Sequence, residues 1–205
     1  MIKRFLFILL LVPALAFAEN FVEGQDYEII KSSSPVKINQ VQVQEFFSFG
    51  CPWCYRLEPT LEQWLAKQDN SIQFSRVPVI FNKDWVFYAK AYYTAALLGI
   101  NKKMDPLLFK AIQTDKQNLL SNQAMIDFFV QQGVDKETAE SAFLNSTTID
   151  LKINESNALM AKFQIIGVPA FVINDHYKTD LKMAKGPERL IEVLDFLVNQ
   201  SKKAA

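Results

Sequence analysis

Cysteine and histidine are scarce in this sequence of 205 residues, which contains two cysteines and one histidine, His176. A structural zinc site of the usual kind needs four cysteine or histidine ligands, and nothing else in the sequence makes a set with His176. Cysteines that staple a fold are spread apart along the chain, because a disulfide that closes a long loop stabilises the fold most. A metal site and a disulfide scaffold are therefore not expected.

An excess of charge of one sign is also absent, since 22 basic and 22 acidic residues give a formal net charge of zero. A nucleic-acid-binding protein shows a basic face or a strongly basic balance, so no nucleic-acid partner is expected. Hydrophobic side chains, in contrast, make up 50% of the residues, and 17 residues are phenylalanine. This composition fits one or two compact domains with a large core.

The one long apolar run lies at the N-terminus. Residues 1–4 form a basic start, residues 5–12 are uninterrupted apolar side chains, and residues 13–18 end in the small-x-small pattern of a signal-peptidase site. The run is shorter than the ~20 residues of a membrane span. Residues 1–18 are therefore predicted to be a cleaved signal peptide, with a retained N-terminal anchor as the alternative. Export would place the mature chain in an oxidising compartment.

The two cysteines stand together as Cys51-Pro52-Trp53-Cys54. Two sulfurs at this spacing can form and break one disulfide between themselves. Residues 41–49 are apolar and predict a strand, whereas residues 55–68 carry large apolar side chains at helical spacing.

Cys51 is therefore expected at a strand-to-helix junction, with Pro52 near the first helical position that proline favours. Unpaired N–H groups and the positive end of the helix dipole would stabilise a thiolate there. Cys54 lies one turn further into the helix and should be less exposed. These positions predict that Cys51 attacks and Cys54 resolves.

Strand patterns stand on both sides of a long helical block. Residues 27–30 and 71–80 predict strands, and the second of these completes a βαβ unit around the cysteines. Residues 169–174 predict another strand with a hairpin partner within 176–183, and an amphipathic helix follows from Pro187. We predict an α/β protein with a thioredoxin-like fold and an inserted all-helical domain. The predicted boundaries are 19–83 and 165–205 for the thioredoxin-like domain and 84–164 for the helical insertion.

Capping residues divide the helical block. Asp105-Pro106 is interpreted as a cap followed by a proline at the first helical position. Ser121, Asp135 and Thr148 are predicted to begin the later helices.

A second motif, Gly167-Val168-Pro169, leads directly into a predicted strand. Pro169 cannot donate to a strand ladder, and it pushes Val168 toward an extended conformation. In a thioredoxin-like fold this is the place of a cis proline opposite the cysteine pair, where the backbone of Val168 can pair with an extended substrate. The sequence alone leaves the cis and trans forms open.

The segments Glu45-Phe-Phe-Ser-Phe-Gly-Cys-Pro-Trp-Cys-Tyr55 and Gly167-Val-Pro-Ala-Phe-Val-Ile-Asn174 resemble the signature regions of the DsbA family of periplasmic thiol:disulfide oxidoreductases. The resemblance implies that Cys51 is the nucleophile, that Cys54 resolves, and that Val168 and Pro169 form the cis-proline pair. It also implies that Glu45 is the buried acid that assists proton movement at the inner cysteine. Glu58 and Arg76 fall where the family carries further charged residues, and we expect them to form a solvated surface pair.

Trp53 departs from the family pattern, because the best-known members carry a histidine there. Indole offers one neutral N–H donor and no charge. Loss of an interaction of ~1.4 kcal/mol raises a thiol pKa by about one unit. The chain is therefore predicted to be a weaker oxidant than the histidine-bearing members, with Pro52 and Trp53 contacting the substrate.

The predicted function is donation of the Cys51–Cys54 disulfide to newly exported proteins in the periplasm, through a mixed disulfide at Cys51. No cofactor is expected beyond this disulfide. The expected partners are unfolded or partly folded proteins with free thiols, and the resemblance implies a membrane reoxidant of the DsbB type. A disulfide reductase or isomerase is one alternative, although residues 19–40 are short for a dimerisation segment. A thioredoxin-like peptide-binding chaperone is another, although the intact cysteine pair speaks against it.

Overall fold

The computed structural model describes residues 21–31 and 40–204, so the predicted signal peptide lies outside the described residues. The strands are β1 Glu28–Ile29, β2 Val41–Phe47, β3 Ile72–Pro78, β4 Ala170–Ile173 and β5 Tyr177–Asp180. The helices are α1 Pro52–Leu65, α2 Trp85–Leu97, α3 Asn101–Phe109, α4 Asn122–Gln131, α5 Lys136–Asn145, α6 Thr147–Lys162, α7 Leu181–Ala184 and α8 Pro187–Ala204. A π-helical turn, Lys110–Thr114, continues α3. Among the described residues, every helix is too short or too polar to cross a membrane.

The strands form one sheet in the order β1-β5-β4-β2-β3. The central strand β2 runs parallel to β3 and antiparallel to β4, so β2-α1-β3 is the predicted βαβ unit. Buried and half-buried residues alternate in the first half of β2, but Glu45, Phe46 and Phe47 are all buried. The C-terminal end of β2 is therefore covered on both faces, and this end leads to the cysteines.

Among the described residues, three hydrophobic cores pack against the sheet. One lies under α1 and α8, where Leu57 and Leu194 pack with Val43 from β2. A second includes Phe46 from β2. The third includes Phe47, the two cysteines and the buried side chains of α2, α3 and α4. The cysteine pair thus lies where the helices between β3 and β4 pack against the sheet. This architecture is the predicted thioredoxin-like fold with a helical insertion.

The interpretation of Asp105 as a helix cap is wrong. Gly99 ends the preceding helix with a positive φ of 70°, and α3 already begins at Asn101. Asp105 is therefore inside the helix and buried, with Pro106 following it. An Asp-Pro pair is a good local signal for a cap, but here the carboxylate has a distant partner, Arg76.

Of the other three predicted helix caps, two are confirmed and one is wrong. Ser121 and Asp135 cap α4 and α5 as predicted, each accepting a backbone N–H three residues on. For α6 the cap is Ser146, which accepts the N–H of Ile149, and not Thr148.

Candidate active site

Cys51 is the N-cap of α1, as its position in the sequence predicts. Its backbone is extended, with φ −91° and ψ 114°, and Pro52 follows at the start of the helix. The Cys51 Sγ accepts the backbone N–H of Cys54 at 3.1 Å. The sulfur thus occupies the place of the oxygen in an ordinary N-cap, among N–H groups that have no partner within the helix.

These donors favour the thiolate of Cys51. The hydrogen bond from the Cys54 thiol lowers the pKa of Cys51, and the backbone N–H groups of Cys54 and Trp53 lower it further. Burial of Cys51 and the negative charge of Glu45 act in the opposite direction. The lowering effects are larger, so Cys51 is the more acidic of the two thiols.

Cys54 has the opposite environment. Its side chain is fully buried, and this burial raises the pKa of Cys54 well above its usual range. The hydrogen bond to Cys51 and the charge of Glu45 raise the pKa of Cys54 further. Both cysteines are free thiols in the structure. Cys54 therefore keeps its proton under conditions in which Cys51 can lose one.

The Val168–Pro169 peptide bond is cis and lies opposite the cysteines. The carbonyl oxygen of Val168 is 3.5 Å from the Cys51 Sγ. Pro169 directly precedes β4, at the edge where that strand begins. The structure therefore brings the second predicted motif to the first, although Val168 follows Cys51 by 117 positions.

Trp53 faces solvent beside the pair, with 52% of its surface exposed. Pro52 is also exposed, and Val168, the third residue predicted to contact substrate, is half-buried. The guanidinium of Arg56 lies over the indole, 4.6 Å from the ring centroid. A cation over an aromatic face at an exposed site contributes ~0.5–1 kcal/mol, which is enough to bias the orientation of the indole.

Beneath Cys54 lies a buried group of charged residues, which we call the carboxyl cluster: Glu45, Glu58, Asp105 and Arg76. Glu45 and Arg76 are register partners on the parallel strands β2 and β3, with Nε to Oε2 at 2.8 Å. Arg76 also contacts Glu58 at 2.7 Å and Asp105 at 3.4 Å.

The expectation of a solvated surface pair between Glu58 and Arg76 is wrong. The Arg76 side chain is 8% exposed and that of Glu58 is 15% exposed. The helix α3 brings Asp105 over this end of the sheet and covers the pair, which a local view of the sequence could not show. Glu58 also follows Cys54 by four residues on α1, and this spacing puts the two on one helical face.

The carboxyl cluster holds three buried acids and one guanidinium. Burial raises the pKa of Glu58 to about 8 and that of Asp105 to about 6, against the lowering effect of Arg76. Burial also raises the pKa of Glu45, which is fully enclosed. One oxygen each of Glu45 and Asp105 is buried without a hydrogen-bond partner. With a pKa of about 8, Glu58 lets the cluster hold a proton near neutral pH.

The helices between β3 and β4 also contact the turn that holds Cys51. A Cβ on Gly50 would lie 2.5 Å from the Nε1 of Trp85, so only glycine allows this close approach. The Gln113 Nε2 donates to the carbonyl of Phe49 at 2.6 Å. Gln113 belongs to the π-helical turn, and such turns are frequent at functional sites.

Asp105, Gln113 and Trp85 are therefore neighbours of the site that the sequence did not reveal. Only Gly50, a glycine directly before the cysteine motif, offered a local signal of close packing. Asp105 and Gln113 stand far from the motif in sequence, and their positions depend on how the helices pack.

Comparison with protein families gives one match over most of the chain. Residues 73–198 match the family model described as the DSBA-like thioredoxin domain. This range begins after the cysteines and includes Val168 and Pro169.

Individual relatives extend the similarity. The chain is 42% identical over 179 residues to the thiol:disulfide interchange protein DsbA of Burkholderia cepacia, which covers 86% of this chain and 84% of the relative. It is 32% identical over 193 residues to the protein of the same name from Pseudomonas aeruginosa, covering 93% of this chain and 90% of the relative. The crystal structure of Pseudomonas aeruginosa DsbA superposes with a TM-score of 0.83 at 31% identity, covering 90% of this chain and 96% of that one.

Proposed function

The chain belongs to the DsbA family of thiol:disulfide oxidoreductases, and from this membership we propose that Cys51 and Cys54 form the disulfide that it donates. The observation that supports these roles best is the contrast between the two sulfurs. Cys51 caps a helix and accepts a backbone N–H, whereas Cys54 is enclosed and its pKa is raised. The thiol with the lower pKa is the better leaving group in disulfide exchange.

The reaction consists of two exchanges. A substrate thiolate attacks the Cys51 Sγ, the Cys51–Cys54 bond breaks, and Cys54 leaves with the electron pair and takes up a proton. The second substrate thiolate then attacks the substrate sulfur of the mixed disulfide, and Cys51 leaves as a thiolate. Two substrate thiols are thereby oxidised to one disulfide, and the enzyme disulfide is reduced to a dithiol.

The carboxyl cluster supplies the proton that Cys54 needs as it leaves. Cys54 is a poor leaving group without a proton, because burial raises its pKa. Glu45 is close enough for its charge to raise the pKa of Cys54, and burial raises the pKa of Glu45 itself. The buried Glu45 oxygen without a hydrogen-bond partner supports this role, since it is free to carry or pass a proton.

Val168 and Pro169 hold the substrate. The Val168 carbonyl is 3.5 Å from the Cys51 Sγ, so an extended peptide that bonds to the backbone of Val168 has its cysteine beside Cys51. Pro52 and Trp53 form the exposed surface on the other side of the reacting sulfur. Strand addition suits an enzyme with many substrates, because backbone groups are common to all of them.

The proposed place of action is the periplasm, after removal of residues 1–18. We also propose a reoxidant of the DsbB type in the membrane, because each turnover leaves the enzyme as a dithiol. The proposed domain division is 19–83 with 165–205 for the thioredoxin-like domain and 84–164 for the helical insertion.

The test is stoichiometric oxidation of a reduced, unfolded protein that has two cysteines. We expect one substrate disulfide per molecule of oxidised wild type, and none with Cys51→Ser. Peptide binding that persists in Cys51→Ser, with no thiol oxidation by wild type, would contradict the proposal and indicate a chaperone. Faster insulin reduction or repair of scrambled disulfides than oxidation would indicate a reductase or isomerase.

A further inference from the structure

A groove of about 910 Å³ begins at the Cys51 side of the molecule and is lined by Trp53, Val168 and Pro169. Its floor is mainly apolar and includes side chains from the β4 entry and from α7. Apolar residues that line this floor include Ile165, Ala170, Leu181 and Met183. Since the groove shares residues with the reactive centre, a substrate segment next to the reacting cysteine can lie in it.

The carboxylates that line this groove are already engaged. Glu28 forms an ion pair with Lys178, with Oε2 to Nζ at 2.9 Å. The Asp180 Oδ1 accepts the backbone N–H of Met183 at 2.7 Å and so caps α7. Glu28 is therefore paired with a cation, and Asp180 is held by the backbone of α7 while it keeps its negative charge.

Two lysines of the same groove have no such partner. Lys182 and Lys185 line it and are exposed, and neither forms an ion pair within residues 21–31 and 40–204. Lys185 stands at the end of α7 in the left-handed conformation, with φ 60°. The charge of Lys185 also acts on the buried Asp26, whose ion pair is with Arg189 at 2.9 Å. Both lysines thus lie, without an ion pair of their own among the described residues, at the edge of an apolar groove that leads to the cysteine pair.

We propose that this groove selects substrate segments that carry an acidic side chain near the reacting cysteine, whose carboxylate pairs with Lys182 and Lys185. This inference rests on the proposed function and adds a substrate class to it. The apolar floor accepts the neighbouring side chains of the peptide, and the backbone of Val168 fixes its path. The positive charges of the two lysines then favour the binding of acidic segments and disfavour the binding of basic ones.

The effect is expected to be moderate, because ion pairs at an exposed edge are screened by water and salt. A peptide with glutamate near its cysteines should be oxidised about threefold to tenfold faster, as kcat/KM, than the same peptide with lysine. The difference should shrink at high ionic strength.

The experiment uses extended two-cysteine peptides in which one glutamate or one lysine is placed at successive positions on either side of the first cysteine. Each rate is divided by the rate of the same peptide with an uncharged small disulfide, since a nearby charge changes the pKa of the peptide thiol itself. Wild type is compared with the double variant Lys182→Gln, Lys185→Gln. The matched control is Lys136→Gln, Lys152→Gln, which removes two exposed lysines of α5 and α6 and so gives the same net charge.

We expect a preference for glutamate at one or more positions in wild type and in the control, and its loss in the groove variant. Equal rates at all positions, or a preference that persists in the groove variant, would overturn the inference and leave the proposed function intact. Oxidation of neither peptide would count against the proposed function itself.

Discussion

The first turn of α1 holds two sulfurs in opposite surroundings, although only two residues separate them. At the outer end, Cys51 caps the helix, accepts a backbone N–H and faces the Val168 carbonyl. At the inner end, Cys54 is enclosed above the carboxyl cluster. The outer surroundings lower a thiol pKa and the inner ones raise it. One helical turn thereby yields a sulfur that leaves readily as a thiolate and a sulfur that holds a proton, which a disulfide donor needs together.

The largest effect is expected when the inner region loses its cation. Arg76→Met removes the cation that three enclosed acids share, and removal of one member of a buried charge network costs ~3–5 kcal/mol of unfolding free energy. Urea denaturation at pH 8 measures this cost. It should be smaller at pH 5, where the raised pKa values of Glu58 and Asp105 let these acids take up protons.

The control is Arg56→Met, which removes an exposed cation from the face of Trp53 and should cost at most ~1 kcal/mol. Similar costs for Arg56→Met and Arg76→Met would mean that the carboxyl cluster is not a buried network.

The second prediction separates the two sulfurs directly. Cys54→Ser leaves Cys51 alone with a hydroxyl donor in place of the Cys54 thiol, and Cys51→Ser leaves Cys54 alone. Since each pKa unit changes the thiolate fraction tenfold, Cys51 should be alkylated by iodoacetamide at neutral pH roughly 100-fold faster or more. Mass spectrometry at timed intervals gives both rates. Rates within a factor of about three would show that the two environments do not differ as described.

The sequence predicts the surroundings of Cys51 better than those of Cys54. The spacing of apolar residues and Pro52 placed Cys51 at the start of a helix, because capping is a local property. The carboxyl cluster could not be predicted, because it depends on contacts between residues that are far apart in the sequence. Asp105 comes from α3, 29 residues after Arg76, and an Asp-Pro pair looks like a cap when its distant partner is unknown. The cis form of Val168–Pro169 also depends on tertiary packing, so the sequence left it open.

The third prediction sharpens the outer region. Trp53→His restores a side chain that can carry a charge beside the Cys51 thiolate. The Cys51 pKa should then fall by about one unit, and the reduction potential should rise by ~30 mV. Thiolate absorbance near 240 nm during a pH titration measures the pKa of Cys51. Trp53→Phe, which keeps an aromatic ring without the N–H, should not reproduce the shift. An unchanged Cys51 pKa in Trp53→His would contradict the prediction that the neutral indole makes the pair a weaker oxidant.

The last prediction concerns the pH dependence of stability in the inner region. Burial raises the pKa of Glu58 to about 8, so the folded chain binds more protons than the unfolded chain as the pH rises from about 4.5 toward 8. The stability that this acid contributes is present below its unfolded pKa and is lost as the pH rises through its folded pKa. Glu58→Gln should therefore flatten the decline of unfolding free energy between pH 5 and pH 8.

The matched control is Glu62→Gln on the same helix. Glu62 is also near Arg76, at 3.8 Å, but its side chain is 64% exposed. Its removal should leave the pH dependence almost as it is in wild type. An equal flattening by both variants would show that burial is not the cause.

The equilibrium of the Cys51–Cys54 pair with glutathione tests the central claim most directly. We expect stabilisation of the reduced form by the Cys51 thiolate to make the pair an oxidant, and we predict that the neutral indole of Trp53 makes it a weaker one than family members with histidine at that position. The reduction potential of DsbA is about −120 mV and that of thioredoxin about −270 mV. The reduction potential of this pair should lie between these values and nearer to that of DsbA. A value at or below that of thioredoxin would contradict the account, because the outer environment would then not favour the thiolate.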